Sequence, residues 1–301
     1  MVGSAGCASE RQSNMKLGAV FPQSESGVDP VAIRDYAQAV EGTGYNHLVI
    51  YDHVLGASTA TRPDWSGPYT SETLFHEVFV LYGYLAALTQ TIELVTGVLI
   101  LPQRQIALVA KQAAEVDLLS GGRLRLGVGV GWNDVEYEGL NENFRDRGVR
   151  SEEQIAVLRA LWAEPVITFK GRWHTIDNAG IKPLPPRRSI PVWIGGYSEA
   201  TLRRIGAMGD GWFPWIPPND ETRAKIERLH DYAREAGRDP AAIGLEPQLS
   251  VGRVPEREWE RYVSDWQQLG ATHLCVNTMG AGFASLDEHV AALRKVKAML
   301  G

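Results

Sequence analysis

Cysteine is nearly absent from this 301-residue chain: only Cys7 and Cys275 occur, far apart, which excludes a disulfide framework and any paired-thiol redox motif. No stretch approaches the roughly 18 consecutive apolar residues of a membrane span. No Lys/Arg run interleaves with aromatics, and a net charge of −6 supplies no basic field for phosphodiester, so neither nucleic acid nor membrane is an expected partner. The histidines His47, His76, His174, His230, His273 and His289 are scattered without HExxH or related spacing, so no metal is expected and these read as surface or packing residues. Residues Met1 to Asn14 lack the apolar core of a secretion signal and read as a disordered leader, with Met15 an equally good start; a reducing cytoplasm is the expected location.

What remains is an ordinary globular composition, 44% hydrophobic and 22% charged, that fits one domain over residues 15–301. Strand and helix patterns alternate strictly. Strands are expected at Lys16 to Phe21, Asn46 to Tyr51, Ile92 to Leu101, Leu124 to Gly129, Val192 to Ile194, Gly211 to Phe213, Ile243 to Gln248 and His273 to Val276. Helices are expected between and after them: Pro30 to Glu41 capped by Asp29, Ser71 to Thr89, Gln105 to Leu119, Ser151 to Trp162, Glu199 to Met208, Asp220 to Ala236, Glu256 to Leu269 and Leu286 to Leu300. Eight such units in one domain point to an α/β fold, a closed (β/α)8 TIM barrel with its site at the carboxyl ends of the strands. Val166 to Ile176 reads as a β-hairpin turning at Lys170-Gly171, inserted between the fourth helix and the fifth strand.

The fourth strand ends in alternating glycines, Gly127, Gly129 and Gly131, followed by Trp132. Glycine weakens a strand interior, so three in a row of alternate positions imply that a flat ligand, a neighbouring element or a tight barrel corner approaches the backbone. Tyr51-Asp52-His53 closes the second strand, and an imidazole beside a carboxylate at that face suits proton transfer near neutral pH, although His53 could simply cap the strand. Gly97-Val98 interrupts the third strand with a bulge signal. Gly195-Gly196-Tyr197-Ser198 leads from the fifth strand into a helix whose free amides can hold a phosphate, a role compatible with capping by Ser198. The same segment lacks the second glycine of a hydrolase nucleophile elbow, and Gly127-Val-Gly-Val-Gly131 lacks both the spacing and the acidic partner of a Rossmann fingerprint.

Asp52-His53, Gly97-Val98, the run Ser120 to Trp132 with Glu136, and Pro191 to Ser198 through Gly209-Asp-Gly-Trp212 together resemble the luciferase-like monooxygenase superfamily over residues 16–300. They are most similar to its deazaflavin branch, which uses coenzyme F420. The resemblance implies a ring resting over Gly129, Val130 and Gly131, against a non-prolyl cis peptide at Gly97-Val98 with Ile100 nearby, and a coenzyme phosphate at Gly195 to Ser198. It implies catalytic roles for His53 and Asp52, with Asp52 also beside the coenzyme. Sugar-phosphate-oxidising members carry glutamate where this chain has Trp132, so another small-molecule substrate is expected, an alcohol, carbonyl or activated alkene. Trp132, Trp65, Trp215, Tyr69 and Phe75 could line an apolar substrate pocket with Glu136 nearby, or Glu136 could serve only as a charge at a helix start. An FMN-dependent monooxygenase and a non-catalytic flavin- or deazaflavin-binding protein stand as alternatives. A homodimer joined through the apolar helix Leu74 to Leu88 is expected from the family's habit.

Overall fold

Residues 15–300 are described by a computed structural model of the chain; the leader expected at residues 1–14 lies outside the described residues. The chain forms an α/β fold around one curled parallel sheet. In order its elements are β1 (Lys16–Val20), α1 (Pro30–Gly42), β2 (His47–Ile50), α2 (Val78–Leu88), β3 (Glu93–Thr96), β4 (Leu99–Ile100), α3 (Ile106–Leu119), β5 (Leu124–Gly129), α4 (Asp134–Gly139) and α5 (Arg147–Ala163). Then follow β6 (Ile167–Lys170), β7 (Thr175–Ala179), β8 (Val192–Gly195), α6 (Glu199–Met208), β9 (Gly211–Phe213), α7 (Asp220–Glu235), β10 (Gly244–Leu245), β11 (Gln248–Ser250), α8 (Trp259–Gln268), β12 (His273–Asn277) and α9 (Leu286–Leu300).

The sheet runs β10-β9-β8-β5-β3-β2-β1-β12-β11, with β4 also pairing β5. Only Glu246 and Pro247 separate β10 from β11. The Glu246 amide still donates to Trp212 (2.9 Å), while the Pro247 carbonyl accepts from Cys275 (3.0 Å), so the two edges of the sheet meet in a TIM-like curl. Pro247 has no N–H to give, which is why this strand falls into two pieces. The third strand is broken as well, at Gly97-Val98, where the peptide bond is cis. Strands β6 and β7 pair antiparallel as a separate two-stranded sheet between α5 and β8.

Helix starts follow local chemistry. Asp29 accepts from Val31 N (2.9 Å) with Pro30 in the first turn of α1. Helix α2 begins at Val78 rather than at Ser71, because Glu77 caps it through Val80 N (2.7 Å), and residues 71–77 are released into the loop that leads to the site. The polar segment after β5 contains the short helix α4, capped by Asn133.

Outside the sheet, a continuous core from Leu17 to Val296 joins strands to helices. Trp162 is fully buried in it and satisfies its Nε1 on the Ala110 carbonyl (3.0 Å). Burial of an indole of this size stabilises by on the order of 4 kcal/mol. Inside the curl, Val20, Val49, Val95, Trp193, Phe213 and Cys275 form a second cluster, topped by Tyr51, Val98, Trp215 and Met279. Beneath it lies an ionic layer that the histidine pattern did not announce: His47 and Glu246, both fully buried, pair at 2.8 Å, and Arg125 bridges Glu246 to Glu93. Arg125 lies over the Trp193 ring at 4.3 Å. This pairing and His47 hold Glu246 well below the usual carboxylate range although burial alone would raise it.

Candidate active site

The glycine stripe of β5 is filled by protein. A Cβ on Gly127 would lie 1.9 Å from the Thr96 carbonyl oxygen, one on Gly129 2.5 Å from Val98 Cγ2, and one on Gly131 2.8 Å from Ile100 Cγ2. Alternate residues of the third strand thus fit against alternate glycines of the fourth. Val98 also abuts Gly195, 3.0 Å from where its Cβ would be. Of the residues over which a ring was expected, Gly129 is thus covered by Val98 and Gly131 by Ile100 on the faces where their side chains would stand. The Val130 carbonyl accepts from Tyr137 OH (2.7 Å), and the Gly131 carbonyl from Arg147 Nε (3.3 Å).

His53 sits at the end of the second strand, with its side chain 12% exposed. Its carboxylate partner is not Asp52. Nδ1 lies 3.2 Å from Glu136 Oε1, which also accepts from the amides of Val54 (2.8 Å) and Leu55 (3.2 Å), while Gln103 Nε2 donates to Oε2 (3.2 Å). Burial would raise the Glu136 pKa, yet the hydrogen bond and charge of His53, with the Val54 amide and the Gln103 side chain, hold it below the ordinary glutamate value. Glu136, expected near a substrate pocket or as a charge at a helix start, is buried in the first turn of α4 with its carboxylate on the imidazole. Asp52 points away: Oδ1 pairs with Arg104 Nη2 (2.7 Å) and Oδ2 accepts from Ile100 N (3.0 Å). Arg104 in turn reaches Glu77 (3.1 Å). Asp52 therefore ties the second strand to the third, and the Ile100 amide is committed to it.

An aromatic wall surrounds the imidazole. Ring centroids of Tyr69 and Phe75 lie 4.7 Å from that of His53, and Trp132 lies at 5.8 Å. Trp65 packs on Trp132 at 5.8 Å and donates its Nε1 to the Tyr69 carbonyl (2.8 Å). Four of the five expected pocket aromatics, Trp65, Trp132, Tyr69 and Phe75, thus come together, whereas Trp215 stands apart against Tyr51 (5.4 Å) and Phe213 (5.9 Å). A cavity of about 130 Å³ lies beside His53, bounded by Val54 to Gly56, Tyr69 to Ser71, Thr73 and Phe75.

Across the mouth, Gly196 adopts φ +113°, which a side chain disfavours, and its carbonyl is held by Trp212 Nε1 (2.7 Å). Ser198 caps α6, accepting from Thr201 N (3.3 Å) and sharing a hydrogen bond with Thr201 Oγ1 (2.9 Å). Tyr197 is exposed. Apart from that of Thr201, the first amides of α6 have no helical partners, which suits an anion. Among the described residues no cluster of three or more His, Cys, Asp or Glu could hold a metal ion.

The pattern characteristic of luciferase-like monooxygenases matches residues 14–298. The chain belongs to that family. An uncharacterized protein of Mycobacterium tuberculosis (strain ATCC 25618 / H37Rv) is 33% identical over 223 residues, 72% of this chain and 77% of that one. The FMNH(2)-dependent dimethylsulfone monooxygenase of Pseudomonas fluorescens (strain Pf0-1) is 30% identical over 183 residues, 60% of this chain and 46% of that one. Among solved structures, an F420-dependent secondary alcohol dehydrogenase in complex with an F420-acetone adduct superposes with a TM-score of 0.74 at 17% identity, covering 94% of this chain and 98% of that one. At that identity the likeness concerns the fold. The structural neighbour is named for F420, a deazaflavin, and the dimethylsulfone monooxygenase for FMNH(2), a flavin.

Proposed function

We propose that this protein is an oxidoreductase that exchanges a hydride between coenzyme F420 and a small organic substrate, an alcohol, carbonyl or activated alkene, at the mouth of a (β/α)8 barrel from which β6–β7 is an excursion. The observation that carries this reading is the His53–Glu136 pair beyond the second strand, together with the Val98 surface that abuts Gly195 at the start of the Gly195 to Ser198 turn. The residues present fit such a coenzyme: Gly196 keeps the cradle free of a side chain, and Val98, wedged between Gly129 and Gly195, offers an apolar face to a ring. When bound, the deazaflavin would supply two-electron hydride chemistry with little reactivity toward oxygen.

The chain's own contribution is proton management and positioning. With Nδ1 held by the Glu136 carboxylate, His53 keeps a proton on that nitrogen, and Nε2, which makes no hydrogen bond among the described residues, exchanges a proton with a substrate oxygen. The Tyr69, Phe75 and Trp132 rings shield that exchange from water. Gly195 to Ser198 would bind the phosphate. Asp52 acts here as a tie rather than a proton carrier.

An FMN-dependent monooxygenase is the second reading, favoured by the FMNH(2)-dependent relative. Titration of the purified protein with F420 and separately with FMN, followed by tryptophan fluorescence, separates the two. Micromolar binding of F420 without FMN supports hydride transfer; preference for FMN moves the assignment to oxygen chemistry. His53→Ala should then keep coenzyme binding and lose turnover, whereas unchanged turnover removes His53 from the mechanism. A homodimer through α2 and α3 is also proposed, because Val80 (73% exposed), Tyr84 and Leu108 leave apolar surface there.

A further inference from the structure

One hydrogen-bond chain at the floor of the mouth has a fixed sense. The Met279 amide donates to Asn277 Oδ1 (2.9 Å), so the Asn277 amide nitrogen faces inward, donating to Gln248 Oε1 (3.2 Å) and to the Tyr51 hydroxyl oxygen (3.3 Å). Gln248 is thereby oriented too, and its Nε2 donates to the Tyr51 hydroxyl oxygen at 2.7 Å. Reversing Gln248 would set two N–H groups against each other, and Asn277 cannot reverse without abandoning the Met279 amide.

The Tyr51 hydroxyl therefore receives two hydrogen bonds and donates none among the described residues. Burial, reinforced by Cys275 and Tyr69, pushes its pKa well above the ordinary tyrosine value, so the proton stays on the oxygen. The ring leans on Trp215, whose rim atoms come within 3.4 Å of where a Gly97 Cβ would be. Among the described residues the buried Nε1 of Trp215 also lacks an acceptor. Two donors without acceptors thus stand beside the Gly97-Val98 surface, a pattern that asks for an oxygen from outside the chain.

We infer that Tyr51 is a ligand-orienting donor, giving its hydroxyl proton to a carbonyl- or alcohol-type oxygen of the molecule bound in the mouth, with Gln248 and Asn277 setting the direction of that bond. This rests on the function proposed above. The oxygen belongs either to the coenzyme's ring system or to the substrate; the chemistry of recognition is the same.

The test compares wild type, Tyr51→Phe and Gln248→Glu. A carboxylate at position 248 accepts from both Asn277 and Tyr51, so it turns the Tyr51 proton inward while leaving the ring in place; a ring that merely filled space would not respond to it. F420 is titrated by tryptophan fluorescence, and cyclohexanone is then titrated into the coenzyme-loaded proteins by coenzyme absorbance. A rise of about five- to tenfold in the F420 dissociation constant in both variants places the oxygen on the coenzyme. Unchanged F420 affinity with a rise of about five- to tenfold for cyclohexanone places it on the substrate. If wild type binds F420 and neither affinity falls in the variants, the Tyr51 assignment is overturned and the coenzyme reading stands. If wild type binds neither F420 nor FMN, both are overturned.

Discussion

Replacing Glu136 tests whether this carboxylate, rather than Asp52, organises the site. In Glu136→Ala, four donors lose their acceptor at once: His53 Nδ1, the amides of Val54 and Leu55, and Gln103 Nε2. A buried donor left unsatisfied costs roughly 1–3 kcal/mol, and since His53 and Val54 border a cavity that admits water, we expect a total loss of about 3–5 kcal/mol. Glu136→Gln should behave differently. Its Oε1 can keep His53, Val54 and Leu55, and its new Nε2 can donate to Gln103 Oε1, a buried acceptor that has no partner and becomes available when the Gln103 amide turns over. The stability loss should therefore stay near 1 kcal/mol. The pH dependence separates the charge from the hydrogen bonds. Because the folded-state pKa of Glu136 lies below its unfolded value, its charge contributes stability above about pH 4.5, and that contribution fades as the pH falls through the folded value. Urea unfolding of wild type and both variants between pH 7 and pH 3 checks all of this, with histidine NMR reporting the His53 tautomer. The acid-side loss should be smaller in Glu136→Gln than in wild type, and the Nδ1–H tautomer should persist in Glu136→Gln and be lost in Glu136→Ala. Equal stability of the two variants, or an unaltered tautomer in Glu136→Ala, would refute the pairing.

Three further outcomes are expected. Gly127→Ala should be the most damaging change in the glycine stripe, because its Cβ meets a backbone oxygen that cannot step aside, while Gly129→Ala meets only the movable Val98 side chain; unfolding midpoints should rank them in that order. His273 is pushed down to about 3, by burial first and then by Arg125, so below pH 6.5 the unfolded chain binds a proton that the folded chain refuses; up to about 1.4 kcal/mol per pH unit of stability is lost between pH 6.5 and 3, and His273→Asn should flatten that slope in denaturation at pH 7 and pH 5. Val80→Glu, on the exposed face of α2, should convert a dimer to monomers in analytical ultracentrifugation without lowering the unfolding midpoint by more than a few degrees; an unchanged mass moves the interface elsewhere.

The sequence made the alternation of strands and helices legible because capping and periodicity are local, as at Asp29-Pro30. Its glycine stripe announced missing side chains but not what fills their space; that depends on the register of the third strand, which brings Thr96, Val98 and Ile100 against Gly127, Gly129 and Gly131. The ionic layer was signalled faintly by Arg125 inside an otherwise apolar strand, but its partner Glu246 is 121 residues away and only the curl of the sheet joins them. Glu136 is likewise 83 residues from His53, out of reach of any local rule. Asp52 and His53 turn to different partners for a local reason. Successive strand residues face opposite sides, so a neighbour in sequence is the residue least able to share a face with His53 at a strand end. The same period of two puts Tyr51 on the interior side, where it packs on Trp215 and meets Gln248 and Asn277. A second functional group on this strand is therefore to be sought two residues before the histidine, and the inward-facing phenol found there accepts two hydrogen bonds and donates none among the described residues.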